Sequence, residues 1–273
     1  MYPPTHDSPP THDNPPTHDS PPTHDNPPAS DQIKITDKNI RQYVEYFFTK
    51  RHILTVQNLL DISKWDVSNV TNMDGLFKDR ANFNEDISAW DVSNVTNMRE
   101  MFLGAKAFNQ PLNDWNVGNV KDMNSMFEDA KAFNQDLSSW DVSKVTDMNS
   151  MFYGATSFNQ PLNNWKVNNV LNTANMFNGA TSFNRDLSMW KLENISTMYG
   201  MFYGATSFNQ DLSGWRFTFN QYGRDMFKNS GMENNINHRP IWSSGGRRNK
   251  TRKSRKSRKS RKSRKSRKSR KGK

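Results

Sequence analysis

An α/β repeat solenoid of about seven 25-residue coils is the fold class this sequence predicts, and three observations carry it. Trp65, Trp90, Trp115, Trp140, Trp165, Trp190 and Trp215 recur every 25 residues without a slip. Phe83, Phe108, Phe133, Phe158, Phe183 and Phe208 each stand seven residues before a Trp, and each is followed by Asn. Leu or Ile lies three before each Trp, an apolar residue two after it, and from Met101 to Met226 a Met-Phe pair begins eleven after it. A single globule has no reason to return one large side chain at a constant interval, whereas stacked coils must each meet a neighbour with the same face. The Trp and Phe columns are therefore the expected interior.

The chain is 273 residues long, and its elements follow in order. Residues 1–30 are dominated by PPTHD[SN] hexads, too Pro-rich and polar to bury a core, and are expected to be disordered. His6, His12, His18 and His24 would lie about 19 Å apart in an extended polyproline form, too far for one metal ion. Residues 31–57 are expected to cap the array, with Thr36 opening a helix whose Ile40, Tyr43, Val44, Phe47 and Phe48 follow helical spacing. Such a helix would cover the first coil's interior and its unpaired edge.

The array itself is expected over 58–230. In the coil from Trp90 to Asp114, Thr96 precedes a stretch of helix formers, NMREMFL, that predicts a helix of about two turns. Its stop position is filled by Asp79, Gly104, Asp129, Gly154, Gly179, Gly204 and Asn229 in successive coils, all residues that tolerate a left-handed backbone. The next segment, QPLNDW or QDLSSW, predicts a short strand, and stacking these strands would give a narrow parallel sheet. Pro111 and Pro161 fall at its entry, where a missing N–H is tolerable. One strand, one turn and one short helix per coil is the leucine-rich-repeat plan. A linker over 231–246 and a disordered basic tail over 247–273 complete the chain.

The unit FNQDLSSWDVSKVTDMNSMFYGA, Phe133 to Ala155, resembles the repeat of BspA-type leucine-rich-repeat surface proteins, and the resemblance covers about 58–230. It implies a non-enzymatic adhesion or interaction module. The opening MYPPTHDSPP lacks the charged and apolar regions of a secretion signal, and no stretch approaches the apolar length of a membrane span. A soluble, intracellular chain, nuclear or virion-associated, is expected, with a cell or virion surface as the alternative.

Charge divides the chain. The net charge is +11, yet residues 247–273 alone hold 18 Lys or Arg and no acid, which leaves −7 on residues 1–246. The RKS triplets place Arg252, Lys253, Arg255, Lys256, Arg258, Lys259, Arg261, Lys262, Arg264, Lys265, Arg267, Lys268, Arg270 and Lys271 in one run without aromatics. Such a run binds nucleic acid or another polyanion by counterion release, not by base readout. Phosphorylation of its serines would cancel much of the charge.

Chemistry within the array is sparse. There is no cysteine, hence no disulfide and no thiolate ligand. His52 and His238 are the only histidines outside the arm, so no base is available among the coils for a catalytic triad. Neither an enzyme nor a cofactor is expected. Asp66, Asp91 and Asp141, with Asn116 in register, form a column that could hold calcium, but each precedes a turn whose backbone N–H groups it can cap. The Asn after each Phe is expected to bond the adjacent coil in a polar ladder. The default partner face is the expected sheet, at Ser88, Asn113, Asp114, Ser138, Ser139, Asn163, Asn164, Ser188 and Ser213. A protein or glycan would bind there to a monomeric chain.

Overall fold

The computed structural model describes residues 34–50, 61–217 and 223–242. The Pro-rich arm, the basic tail, and parts of the cap region and linker lie outside the described residues. Elements run as β1 (Lys34–Thr36), α1 (Ile40–Lys50), β2 (Asp66–Asn69), β3 (Arg216–Phe217) and β4 (Ile241–Trp242), with 3-10 turns at Ile62–Lys64 and Ile236–His238.

Between β2 and β3 the chain stacks coil on coil. Phe77, Phe102, Phe127, Phe152, Phe177, Phe202 and Phe227 form one continuous column, with ring centroids 5.4 to 5.8 Å apart in successive coils. Phe83, Phe108, Phe133, Phe158, Phe183 and Phe208 form a second, at 5.6 to 6.0 Å. The two Phe rings contributed by one stretch of chain lie face to face, 4.0 Å apart for Phe77 and Phe83. Flat rings in register exclude water from a long seam that no single coil could close.

The helix expected over NMREMFL does not form. Consecutive turns take its place, and the N–H groups alternate in direction. Those of Met98, Glu100, Phe102 and Gly104 donate to Asp122, Asn124, Met126 and Glu128 of the next coil, at 2.7 to 3.0 Å. Those of Met101, Leu103 and Ala105 turn back to Met98, Glu100 and Phe102 of their own coil. An α-helix would direct every donor beyond its first turn within itself; here half of them join neighbouring coils. Glu100 at φ +53 and Gly104 at φ +69 make the alternation possible, and a left-handed residue recurs at both positions in most coils.

Along the stop position Asp precedes Gly twice, Asp79 before Gly104 and Asp129 before Gly154. A Cβ on Gly104 would meet Asp79 Oδ1 at 2.6 Å, and one on Gly200 would meet Asn175 Oδ1 at the same distance. At these places a polar side chain in one coil occupies the room that glycine leaves in the next, whereas Gly179 and Gly204 follow another glycine.

The strand expected at QPLNDW and QDLSSW is also absent, so the coils do not adopt the leucine-rich-repeat plan of one strand and one helix. Parallel bridges run instead through Asn72, Asn97, Asp122, Asp147, Asn172 and Thr197, just before the turn segment. In the coils that carry Asp there, the cause is local: Asp86, Asp136, Asp186 and Asp211 each accept from the N–H two residues on and bend the chain where a strand would need to continue straight.

At the N-terminal end β1 pairs in parallel with β2, a pairing the sequence did not suggest. Thr36 ends β1 and is not the helix cap; Asn39 is, its carbonyl accepting from Tyr43 N–H at 3.0 Å while its Oδ1 accepts from Thr36 N–H at 2.8 Å. α1 lays Tyr43 and Phe47 edge-on against Trp65, with Phe48 edge-on to Phe83. β3 and β4 form a second parallel pair at the other end.

Candidate interaction surfaces

The interior is closed and internally bonded. All seven Trp and the Phe residues of the repeat are buried. From Trp90 to Trp215 each indole N–H reaches back to the carbonyl of Ile62, Ile87, Leu112, Leu137, Leu162 or Leu187, at 2.8 to 3.2 Å. A buried indole needs such an acceptor, and the previous coil supplies it. Trp65 has no coil before it, and its buried Nε1 has no partner among the described residues.

Polar residues of the repeat form the corners. Asp66, Asp91, Asn116 and Asp141 each accept from the N–H two residues on, at 3.0 to 3.2 Å. Bonds from the Ser68 hydroxyl and amide hold the Asp66 carboxyl below its usual range, and Ser143 does the same for Asp141. The column's oxygens thus face their own turns, and no group of three or more His, Asp or Glu suited to a metal occurs among the described residues.

Two more corner columns escaped the sequence reading. Asp86, Asp136, Asp186 and Asp211 accept from Ser88, Ser138, Ser188 and Ser213 N–H at 2.8 to 2.9 Å. Asn72, Asn97, Asp122, Asp147 and Asn172 accept in the same way two residues on. Their Asx spacing, D-x-S above all, was the available signal. Burial pushes the Asp122 carboxyl up, and Asp147 in the next coil adds to the rise.

The Asn that follows each Phe makes an unbroken ladder. Asn84, Asn109, Asn134, Asn159 and Asn184 each present Oδ1 to the backbone N–H of the Asn 25 residues on, at 2.8 to 3.0 Å. Gln110, Gln135, Gln160 and Gln210 donate alongside to the Asn carbonyls.

The face named from sequence is a row of turns. Ser88, Asn113, Ser138, Asn163 and Ser213 are half-buried, whereas Asp114, Ser139, Asn164 and Ser188 are exposed. Several of its groups are already engaged: Ser139 Oγ donates to Asn113, and Asn163 binds both Met189 N–H and Asp186. Large side chains exposed on the coils include Met189 at 67%, Tyr199 and Tyr153. Arg252 to Lys271, the predicted polyanion site, lie outside the described residues.

Apolar columns inside and Asx-bonded corners outside, repeated every 25 residues, define a repeat protein. A family model described as "Mycoplasma protein of unknown function, DUF285" matches residues 43–151 and again 135–239, and the chain belongs to that family. No curated protein and no solved structure matches it. No helix among the described residues is long and apolar enough to cross a membrane.

Proposed function

We propose that the chain is a non-enzymatic scaffold, a solenoid of BspA-like repeats that binds a protein or glycan partner and holds nucleic acid or another polyanion through residues 247–273. One observation carries the reading: the repeated polar residues are spent on bonds within and between coils, leaving the columns that vary from coil to coil to face outward. Met189, Tyr153 and Tyr199 stand in such columns, and large amphipathic side chains of this kind anchor interfaces. The basic run supplies a separate, sequence-independent attachment.

Binding of duplex DNA to the full chain and to one ending at Gly246, measured across salt concentrations, tests the polyanion half. Tight binding that falls steeply with salt and disappears with the basic run is expected; salt-insensitive binding, or binding retained without the run, sinks it. The partner half is tested by capture on wild type against the Tyr153→Ala/Met189→Ala/Tyr199→Ala variant, whose recovered partner should drop. The repeat motif of Phe133 to Ala155 favours a second reading, a surface adhesin. Labelling of the protein on intact cells or particles would support that one.

A further inference from the structure

The two edges of the inter-coil ladder are finished differently. At the first coil, Thr71 and Asn72 N–H have no earlier coil to bond, and the Asp37 carboxylate takes both, at 2.8 and 3.0 Å. At the last coil the orphan donors are those that elsewhere reach forward. Glu100 N–H donates to Asn124, Gly200 to Arg224 and Phe202 to Met226. In the last coil Asn229 N–H is taken by the Glu233 carboxylate at 3.1 Å. Asp225 and Phe227 N–H, the equivalents of Gly200 and Phe202, have no acceptor among the described residues.

Asp225 and Phe227 line a concavity of about 1090 Å³ whose walls also include Arg224, Lys228, Ile236, Arg239 and Trp242. Ile236 is 72% exposed. Three cations stand against the two acids, Asp225 and Glu233. Glu233 already serves Asn229, and Arg224 lies 3.6 Å from Asp225.

We propose that this edge docks an extended acidic segment of another protein, whose carbonyls accept from Asp225 and Phe227 N–H and whose carboxylates meet Arg224 and Lys228. The chain's own caps indicate the chemistry, since carboxylates already occupy the orphan donors at both ends. Edge addition of this kind takes affinity from main-chain bonds and specificity from side chains. The chain's own continuation is a poor occupant: residues 243–273 contain no apolar side chain and would bring 18 further cations to a basic wall. A second copy is no better, because its N-terminal edge is covered by α1 and its C-terminal edge offers donors to donors. The proposal deepens the scaffold reading and rests on it, while leaving the polyanion half independent.

The test uses the full chain and a fluorescein-labelled decapeptide of alternating Glu and Val, with a Lys/Val peptide as control. Anisotropy should show binding of the acidic peptide only, weakened about tenfold by Arg224→Glu/Lys228→Glu. Amide exchange at Asp225 and Phe227 should slow when it binds. Arg224 is 80% exposed, so loss of the fold is not expected, and an unchanged thermal melt checks this. No binding overturns the proposal. So do equal binding by the variant without slowed exchange, which places the peptide on the basic run, and amides already protected in the free chain, which places an intrachain segment on the edge.

Discussion

The two ends of the array solve the same problem to different degrees. At the N-terminal end α1 covers the seam with Tyr43, Phe47 and Phe48, and Asp37 supplies the acceptors a previous coil would have provided. Arg80 packs over the Phe48 ring at 4.5 Å and pairs with Glu45, fastening helix to coil. At the C-terminal end β4 and Met232 cover part of the last coil, and Glu233 and Arg239 reach over the turn segment. Among the described residues, the N–H groups of Asp225 and Phe227 have no acceptor there. Closing a repeat stack thus takes two separate things, apolar cover for the last rings and acceptors for the last N–H groups, and a chain can complete one without the other.

The comparison can be sharpened by reference to the middle of the array, where both neighbours are present. Trp140→Ala removes an indole stacked on Trp165 at 6.4 Å and bonded to Leu112 O at 2.8 Å, and should cost about 3–5 kcal/mol in reversible denaturation. A loss under about 1 kcal/mol would mean the seam is not continuous. Next comes Gly104→Ala, which puts a Cβ at φ +69 beside Asp79 Oδ1 and should cost about 2 kcal/mol. Pairing it with Asp79→Ala should recover part of that loss; no recovery would break the Asp-then-Gly complementarity.

Smaller effects belong to the ends. Asp37→Asn weakens the donor cap and should cost about 1 kcal/mol, as for other lost caps. Burial pushes the Asp37 carboxyl up, but the bonds from Thr71 and Asn72 outweigh it and hold it below the ordinary Asp range. Its contribution is therefore complete above the ordinary Asp range and is lost as pH falls through the depressed native value. An acid titration of stability should show a shallower fall in Asp37→Asn than in wild type. Ile236→Ala, at the open end, should change stability by less than about 0.5 kcal/mol; a larger loss would show that this end is as well sealed as the other.

What could be read from sequence followed from identity at a fixed interval. The Trp and Phe columns, the Asn ladder and the left-handed stop position each repeat one residue type or one tolerance, so position alone exposes them. The second left-handed column was hidden because Gly75, Glu100, Ser125, Ser150, Asn175, Gly200 and Asp225 share no side-chain chemistry. Only the backbone they adopt unites them. The D-x-S corners are legible at Asp91 and Asp141, whereas the same spacing at Asp136 and Asp211 falls in segments whose sequence predicts a short strand.

The sequence by itself determined the repeat, its period and which side chains face inward, because burying the same ring in each coil needs no knowledge of the path between rings. The tertiary structure decided that path. NMREMFL has helix-forming residues, but each coil lies between two neighbours offering carbonyls and donors along its whole length. Committing alternate N–H groups to those neighbours binds the stack together, which a helix closed on itself could not do. The same logic leaves the N–H groups of Asp225 and Phe227 without an acceptor among the described residues.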